Sequence, residues 1–129
     1  MDTRLLVLLD SLRHQWGAAI MISPATGSLG RSLGNSLSQH NIDKWGQVRA
    51  ADVFVEGVNS IPTAAAFIDL ATDVGFTGIG IYPDWEPSIG FHLDTRVDAR
   101  PGRPAKWGGV RTMQGQRYVT LSDALEGLS

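Results

Sequence analysis

The segment "VRAADVFV", residues 48 to 55, constrains the fold more than any other stretch: from Ala50 onward every residue is apolar except Asp52. A short apolar run bounded by polar residues reads as a buried strand. A carboxylate inside such a strand costs several kcal/mol unless it is paired, hydrogen-bonded or bound to a metal. Asp52 therefore needs a partner from elsewhere in the chain.

The neighbouring segments predict a layered arrangement for that strand to join. "MDTRLLVLLDSLRHQWG" reads as a helix, with Leu5, Leu8, Leu9, Leu12 and Trp16 on one face, Asp2 or Thr3 as the cap and Gly17 as the terminator. It is not a signal peptide, because Asp2, Asp10 and Arg13 interrupt its leucines and no small-residue cleavage site follows. The expected place of synthesis and folding is the cytoplasm. "AAIMIS" reads as a second strand, followed by a long Gly/Ser-rich loop, "PATGSLGRSLGNSLSQ". Loops of that length in compact domains are usually functional.

A second helix is predicted from about Pro62 to Val74, capped by Asn59 or Ser60, with Phe67, Ile68 and Ala71 inward and Gly75 ending it. "GIGIY" and "GFHLDTR" read as strands joined by the turn-rich "PDWEPS". "RYVTLSDALEGLS" reads as a short strand and a frayed helix, and "DARPGRPAK" as a solvated surface loop. The expected fold is α+β, a small mixed and mainly antiparallel sheet flanked by helices.

At 129 residues the chain fits one domain, 1–129, large enough to bury roughly two thirds of its unfolded surface. A net charge of -2 provides no broad basic field for nucleic acid, and no apolar run approaches the length of a membrane span. There is no cysteine, so a metal here must be held by His, Asp and Glu.

Only three histidines occur. His14 lies on the first helix as an expected surface residue. His40 precedes the Asp52 strand, and His92 lies in "GFHLDTR", where strand alternation sends His92 and Asp94 to the same face. A strand His beside an Asp is most often just a hydrogen-bonded pair. Two imidazoles and a carboxylate, however, also suffice for a catalytic zinc site with one position open to water, and a further carboxylate can then take a proton from that water.

Several motifs occur in a telling order: "SQH" at 38–40, "RAAD" at 49–52, "GIGIYP" at 78–83, "FHLDTR" at 91–96 and "KWGG" at 106–109. In this combination the chain, over roughly residues 18 to 110, resembles the zinc D-alanyl-D-alanine carboxypeptidases and related peptidoglycan peptidases that share a fold with the Hedgehog signalling domain. The resemblance implies that His40, Asp52 and His92 bind zinc, which would answer the question that Asp52 raises.

The twelve positions from His40 to Asp52 exceed the family's usual interval, which leaves Asp43 as an alternative ligand. The family commonly carries an Arg before the first His that holds the substrate carboxylate or polarises its carbonyl, and the nearest equivalent here is Arg31, outside that pattern. For the general base the resemblance favours Asp94. Glu86, six positions before His92, stands where the base lies in some relatives, and Asp94 would then only orient the histidine. Ser38, Trp85 and Arg96 are implied substrate contacts, while Tyr82 and Trp107 fit either a cleft wall or the core.

The expected activity is zinc-dependent cleavage of peptidoglycan stem peptides, as a carboxypeptidase or a phage-lysin-type endopeptidase, by a monomer of phage or prophage origin that is virion-associated or released on lysis. A non-catalytic metal-binding module, such as a phage tail component, is the alternative. An iron oxygenase with a facial triad of two His and one carboxylate is disfavoured. The strand segments are too few for a closed double-sheet barrel, and the lone His precedes the His-x-Asp pair.

Overall fold

The computed structural model describes residues 2–23, 49–86 and 88–127. The chain runs α1 (Thr3–Trp16), β1 (Ile20–Ile22), β2 (Ala50–Val55), α2 (Ile61–Val74), β3 (Gly78–Tyr82), β4 (Gly90–Asp94), β5 (Ala105–Thr112), β6 (Gly115–Val119) and α3 (Leu121–Glu126). The strands form one sheet in the order β1-β2-β4-β3-β5-β6. Neighbours are antiparallel except β3 and β5, which run parallel. This is the α+β architecture with a mixed, mainly antiparallel sheet that the hydrophobic pattern predicts.

The helices begin and end where their capping chemistry dictates. Asp2 accepts from the Arg4 amide at 3.2 Å to cap α1, and Gly17 closes it in the left-handed conformation at φ 76°. Ser60 caps α2 in a reciprocal box: its hydroxyl accepts from the Thr63 amide at 3.3 Å, and the Thr63 hydroxyl accepts from the Ser60 amide at 3.0 Å. Pro62 occupies the first turn of α2, and Gly75 ends it.

Strand alternation divides the sheet into two different faces. Val53, Phe91, Leu93, Ile79 and Ile81 point to one side and pack with Leu5 and Leu12 of α1, Phe67, Ile68 and Ala71 of α2, and Ala124 of α3. Each large side chain buried there contributes about 1.5–3 kcal/mol of transfer free energy, and the Phe67 ring meets Phe91 at 4.6 Å. The residues between them, Asp52, His92, Asp94, Gly78, Gly80 and Trp107, share the opposite face.

The strand over Ala105–Thr112 is not foreseen in the sequence, where "KWGG" stands out only as part of the resemblance. Its position next to β3 adds Trp107 to the polar face. Among the described residues no helix is long and apolar enough to cross a membrane.

Candidate functional site

Register aligns the polar face in rows. Asp52 on β2 pairs with His92 on β4, His92 pairs with Gly80 on β3, and Gly80 pairs with Trp107 on β5. One row along, Ala50, Asp94, Gly78 and Ala105 align in the same way. The next row in the other direction includes Phe54, Gly90 and Tyr82.

Glycine creates the room for these side chains. A Cβ at Gly78 would collide with the Asp94 carboxylate, and one at Gly80 would lie 2.6 Å from Trp107 Nε1. A Cβ at Gly90 would strike the Trp85 ring, and one at Gly109 the Tyr82 ring. The alternating glycines of "GIGIY" thus leave a floor on which Asp94 and Trp107 lie.

His92 is held between two carboxylates. Its Nε2 is 2.6 Å from Asp94 Oδ2, and its Nδ1 is 3.3 Å from Asp52 Oδ1. Asp94 has no solvent exposure, and both of its oxygens are engaged. Oδ1 accepts from the Arg96 amide at 3.1 Å and from Arg96 Nε at 2.9 Å, while Oδ2 accepts from Arg96 Nη2 at 2.6 Å. Burial by itself pushes the Asp94 pKa up, but the hydrogen bonds from His92 and Arg96 outweigh it and hold the carboxyl down at about 2. For His92, burial opposes the charged ring, yet Asp52 and Asp94 together raise its pKa above the ordinary value.

These contacts fix the tautomer. An ionised Asp94 can only accept, so Nε2 carries a proton, and whenever the ring is neutral the Nδ1 lone pair faces Asp52. Two acceptors meet there, and only a proton or a metal cation between them makes the contact favourable. A charge-assisted N–H···O bond is normally about 2.7–2.9 Å long. Two ligands of one tetrahedral zinc, with Zn–N and Zn–O bonds near 2.1 Å, stand about 3.4 Å apart. The Nδ1 to Oδ1 separation of 3.3 Å is compatible with a proton shared between the two groups, which is what raises the His92 pKa, and equally with a metal ion held by both. The Asp94–His92 contact has the form of the carboxylate–histidine arrangement that steadies metal-binding imidazoles.

An aromatic wall borders the pair. Trp107 lies 5.2 Å from the His92 ring and under the Arg96 guanidinium at 4.8 Å, and it donates from Nε1 to Tyr82 Oη at 2.9 Å. Trp85 stacks on Tyr82 at 4.2 Å and 10°, and donates to Gln116 Oε1 at 3.3 Å.

The structure thus brings together Asp52, His92, Asp94 and Arg96, with Trp85 nearby in the aromatic wall. Arg96, a substrate contact by resemblance, has its guanidinium on Asp94. Glu86 is exposed on the connection between β3 and β4, and among the described residues no hydrogen bond or ion pair ties it to His92. His14 is exposed and 3.7 Å from Asp10. Arg31, Ser38, His40 and Asp43 lie outside the described residues, and among those that are described no three His, Asp or Glu side chains form a metal-binding group. Sequence reasoning did not find the Arg96–Asp94 fork, although its i, i+2 spacing at a strand end was the available signal. Comparisons with family models, with curated proteins and with solved structures find no match to this chain.

Proposed function

We propose that this chain is a zinc-dependent peptidase of peptidoglycan stem peptides, acting as a D-alanyl-D-alanine carboxypeptidase or as a phage-lysin-type endopeptidase. The observation that carries the reading is the facing of His92 Nδ1 and Asp52 Oδ1 at 3.3 Å while Asp94 holds the other ring nitrogen. His40, Asp52 and His92 are the residues that would hold the ion. Zinc bound there would supply Lewis acidity and bring the pKa of a coordinated water toward about 7.

The protein's own groups divide the remaining work. Asp94 orients His92 and keeps its Nε2 protonated, and Arg96 keeps Asp94 ionised. With its carboxyl held near pH 2 and both oxygens occupied, Asp94 suits this orienting role better than proton acceptance. Glu86, the other carboxylate indicated by the sequence, is left as the base that takes a proton from the attacking water. Trp85 and Trp107 wall the cleft, and Arg31 and Ser38 contact the peptide. Phage origin, with release on lysis or carriage in the virion, and action as a monomer complete the proposal.

The test is incubation of the purified protein with peptidoglycan fragments, with and without a chelator, read by mass spectrometry. Cleavage that stops on chelation and returns with zinc supports the reading. Binding of about one zinc per chain without cleavage of any fragment favours the non-catalytic metal-binding module.

A further inference from the structure

We infer that the Tyr82 hydroxyl donates a hydrogen bond to the carbonyl oxygen of a substrate held over the Asp52–His92 pair, as a further catalytic residue of the reaction proposed above. The inference rests on that reading for the reaction, but on the fold for the donor.

Tyr82 is two positions from Gly80 on β3, so its side chain rises from the same face as His92, one row along. It is 5% exposed, stacked against Trp85 and seated in the space that a side chain at Gly109 would fill. Its ring therefore has little freedom. A phenol offers one donor and can also accept. Trp107 Nε1 uses the acceptor side at 2.9 Å, which turns the hydroxyl proton away from the indole. Among the described residues nothing accepts that proton.

A buried hydroxyl usually finds a partner, and a donor left unmet costs about 1–3 kcal/mol. A donor with no acceptor among the described residues, beside the candidate reaction centre, is placed to meet an acceptor on a ligand. Trp107, which locks the hydroxyl, is also the ring that packs on His92, so the open donor and the His92 row belong to one rigid assembly. Burial pushes the Tyr82 pKa up, and the proton stays on oxygen throughout.

The chemistry that such a donor recognises is an oxygen gaining negative charge. When water attacks the amide carbon, the new C–O bond forms as the carbonyl π pair moves onto oxygen, and that oxygen accepts from Tyr82 without taking its proton. The pair then returns, the C–N bond breaks, and the nitrogen leaves with the proton that the attacking water gave up. A fixed donor placed where charge develops is worth roughly 100- to 1,000-fold in rate.

The experiment compares wild type, Tyr82→Phe and Tyr118→Phe, the last altering a tyrosine that is 69% exposed. With peptidoglycan fragments, Tyr82→Phe is expected to lower kcat about 100-fold with KM within about threefold. Inorganic phosphate, a tetrahedral oxyanion, is the probe independent of turnover. Calorimetry on the zinc-supplemented proteins should show its Kd at least about tenfold weaker in Tyr82→Phe and unchanged in Tyr118→Phe. Trp107→Phe, which removes the indole donor and keeps the Tyr82 hydroxyl, should retain more phosphate affinity than Tyr82→Phe. Equal phosphate affinity in wild type and Tyr82→Phe, or a wild type that binds no phosphate, overturns the inference. If no fragment is cleaved but phosphate binding depends on Tyr82, the peptidase reading fails while the oxyanion donor stands.

Discussion

Gly78 and Asp94 face each other across β3 and β4, and the Asp94 carboxylate occupies the volume that a side chain at position 78 would need. The smallest residue on one strand is thus the condition for the best-anchored charge on the next. Gly78→Ala should destabilise the protein by about 1–3 kcal/mol through overpacking, and it should dislodge Asp94 from His92 and Arg96. Urea unfolding measures the first effect, and the NMR shift of the His92 ring protons the second. A variant as stable as wild type with an unchanged ring environment would refute the prediction.

Asp94→Asn keeps the shape of the side chain and removes its charge. It takes from Arg96, whose side chain is 20% exposed and also feels the charge of Asp98, the carboxylate it forks onto, and should cost on the order of 2 kcal/mol, less than the loss from a fully buried pair. Zinc affinity should also fall about 10- to 100-fold, because His92 loses the group that orients it. Unfolding in chelator and a zinc titration read the two effects separately. Wild-type zinc affinity in this variant would leave Asp94 no orienting role.

Acid should weaken the fold in a definite window. The Asp94 carboxyl titrates at about 2 in the folded chain, against 3.8 for the free side chain. The unfolded state therefore binds the proton first as pH falls. The stabilisation is fully present above the free value and is lost as pH drops toward about 2, a span worth on the order of 2 kcal/mol. Melting temperatures of wild type and Asp94→Asn should converge across that interval. A gap that stays constant from pH 6 to pH 2 would show that the charge of Asp94 is not what stabilises.

Asp52 is predicted to matter to the metal more than to the apoprotein. Asp52→Asn should weaken zinc binding at least about 100-fold, while wild type and variant unfold within about 1 kcal/mol of each other in chelator. The comparison is made by denaturation with and without zinc. An equal loss in the metal-free state would mean that Asp52 serves as a structural partner of His92 alone.

Much of the fold could be read from single segments because each carries its own local signal. The Ser60–Pro62 start and Gly75 end of α2, the leucine face of α1 and the alternation around His92 all depend on near neighbours in sequence. β5 could not be read in this way. Gly108 and Gly109 have no side chains to mark alternate faces, and they are small because Ala124 and Tyr82 press against them. Those contacts come from the far end of the chain and from another strand. The site shows the same division: the sequence points to Asp52, His92 and Asp94 individually, and the fork from Arg96 to Asp94 spans only two residues, but the contact of His92 with Asp52 and the bond from Trp107 to Tyr82 exist only once strands are neighbours. The part of the expected site on Arg31, Ser38 and His40 lies outside the described residues.

The strand order also distributes resistance to solvent. β2, β4, β3 and β5, which carry Asp52, His92, Tyr82 and Trp107, are all interior, and among the described strands the edges fall to β1 and β6. An interior strand is hydrogen-bonded along both sides, so its amides exchange with deuterium only when a larger cooperative unit opens, whereas edge strands fray locally at little free-energy cost. The amides of β1 and β6 should therefore exchange early and those of the His92 row last, so that the candidate site sits in the slowest-exchanging part of the described structure and keeps its geometry while the margins breathe.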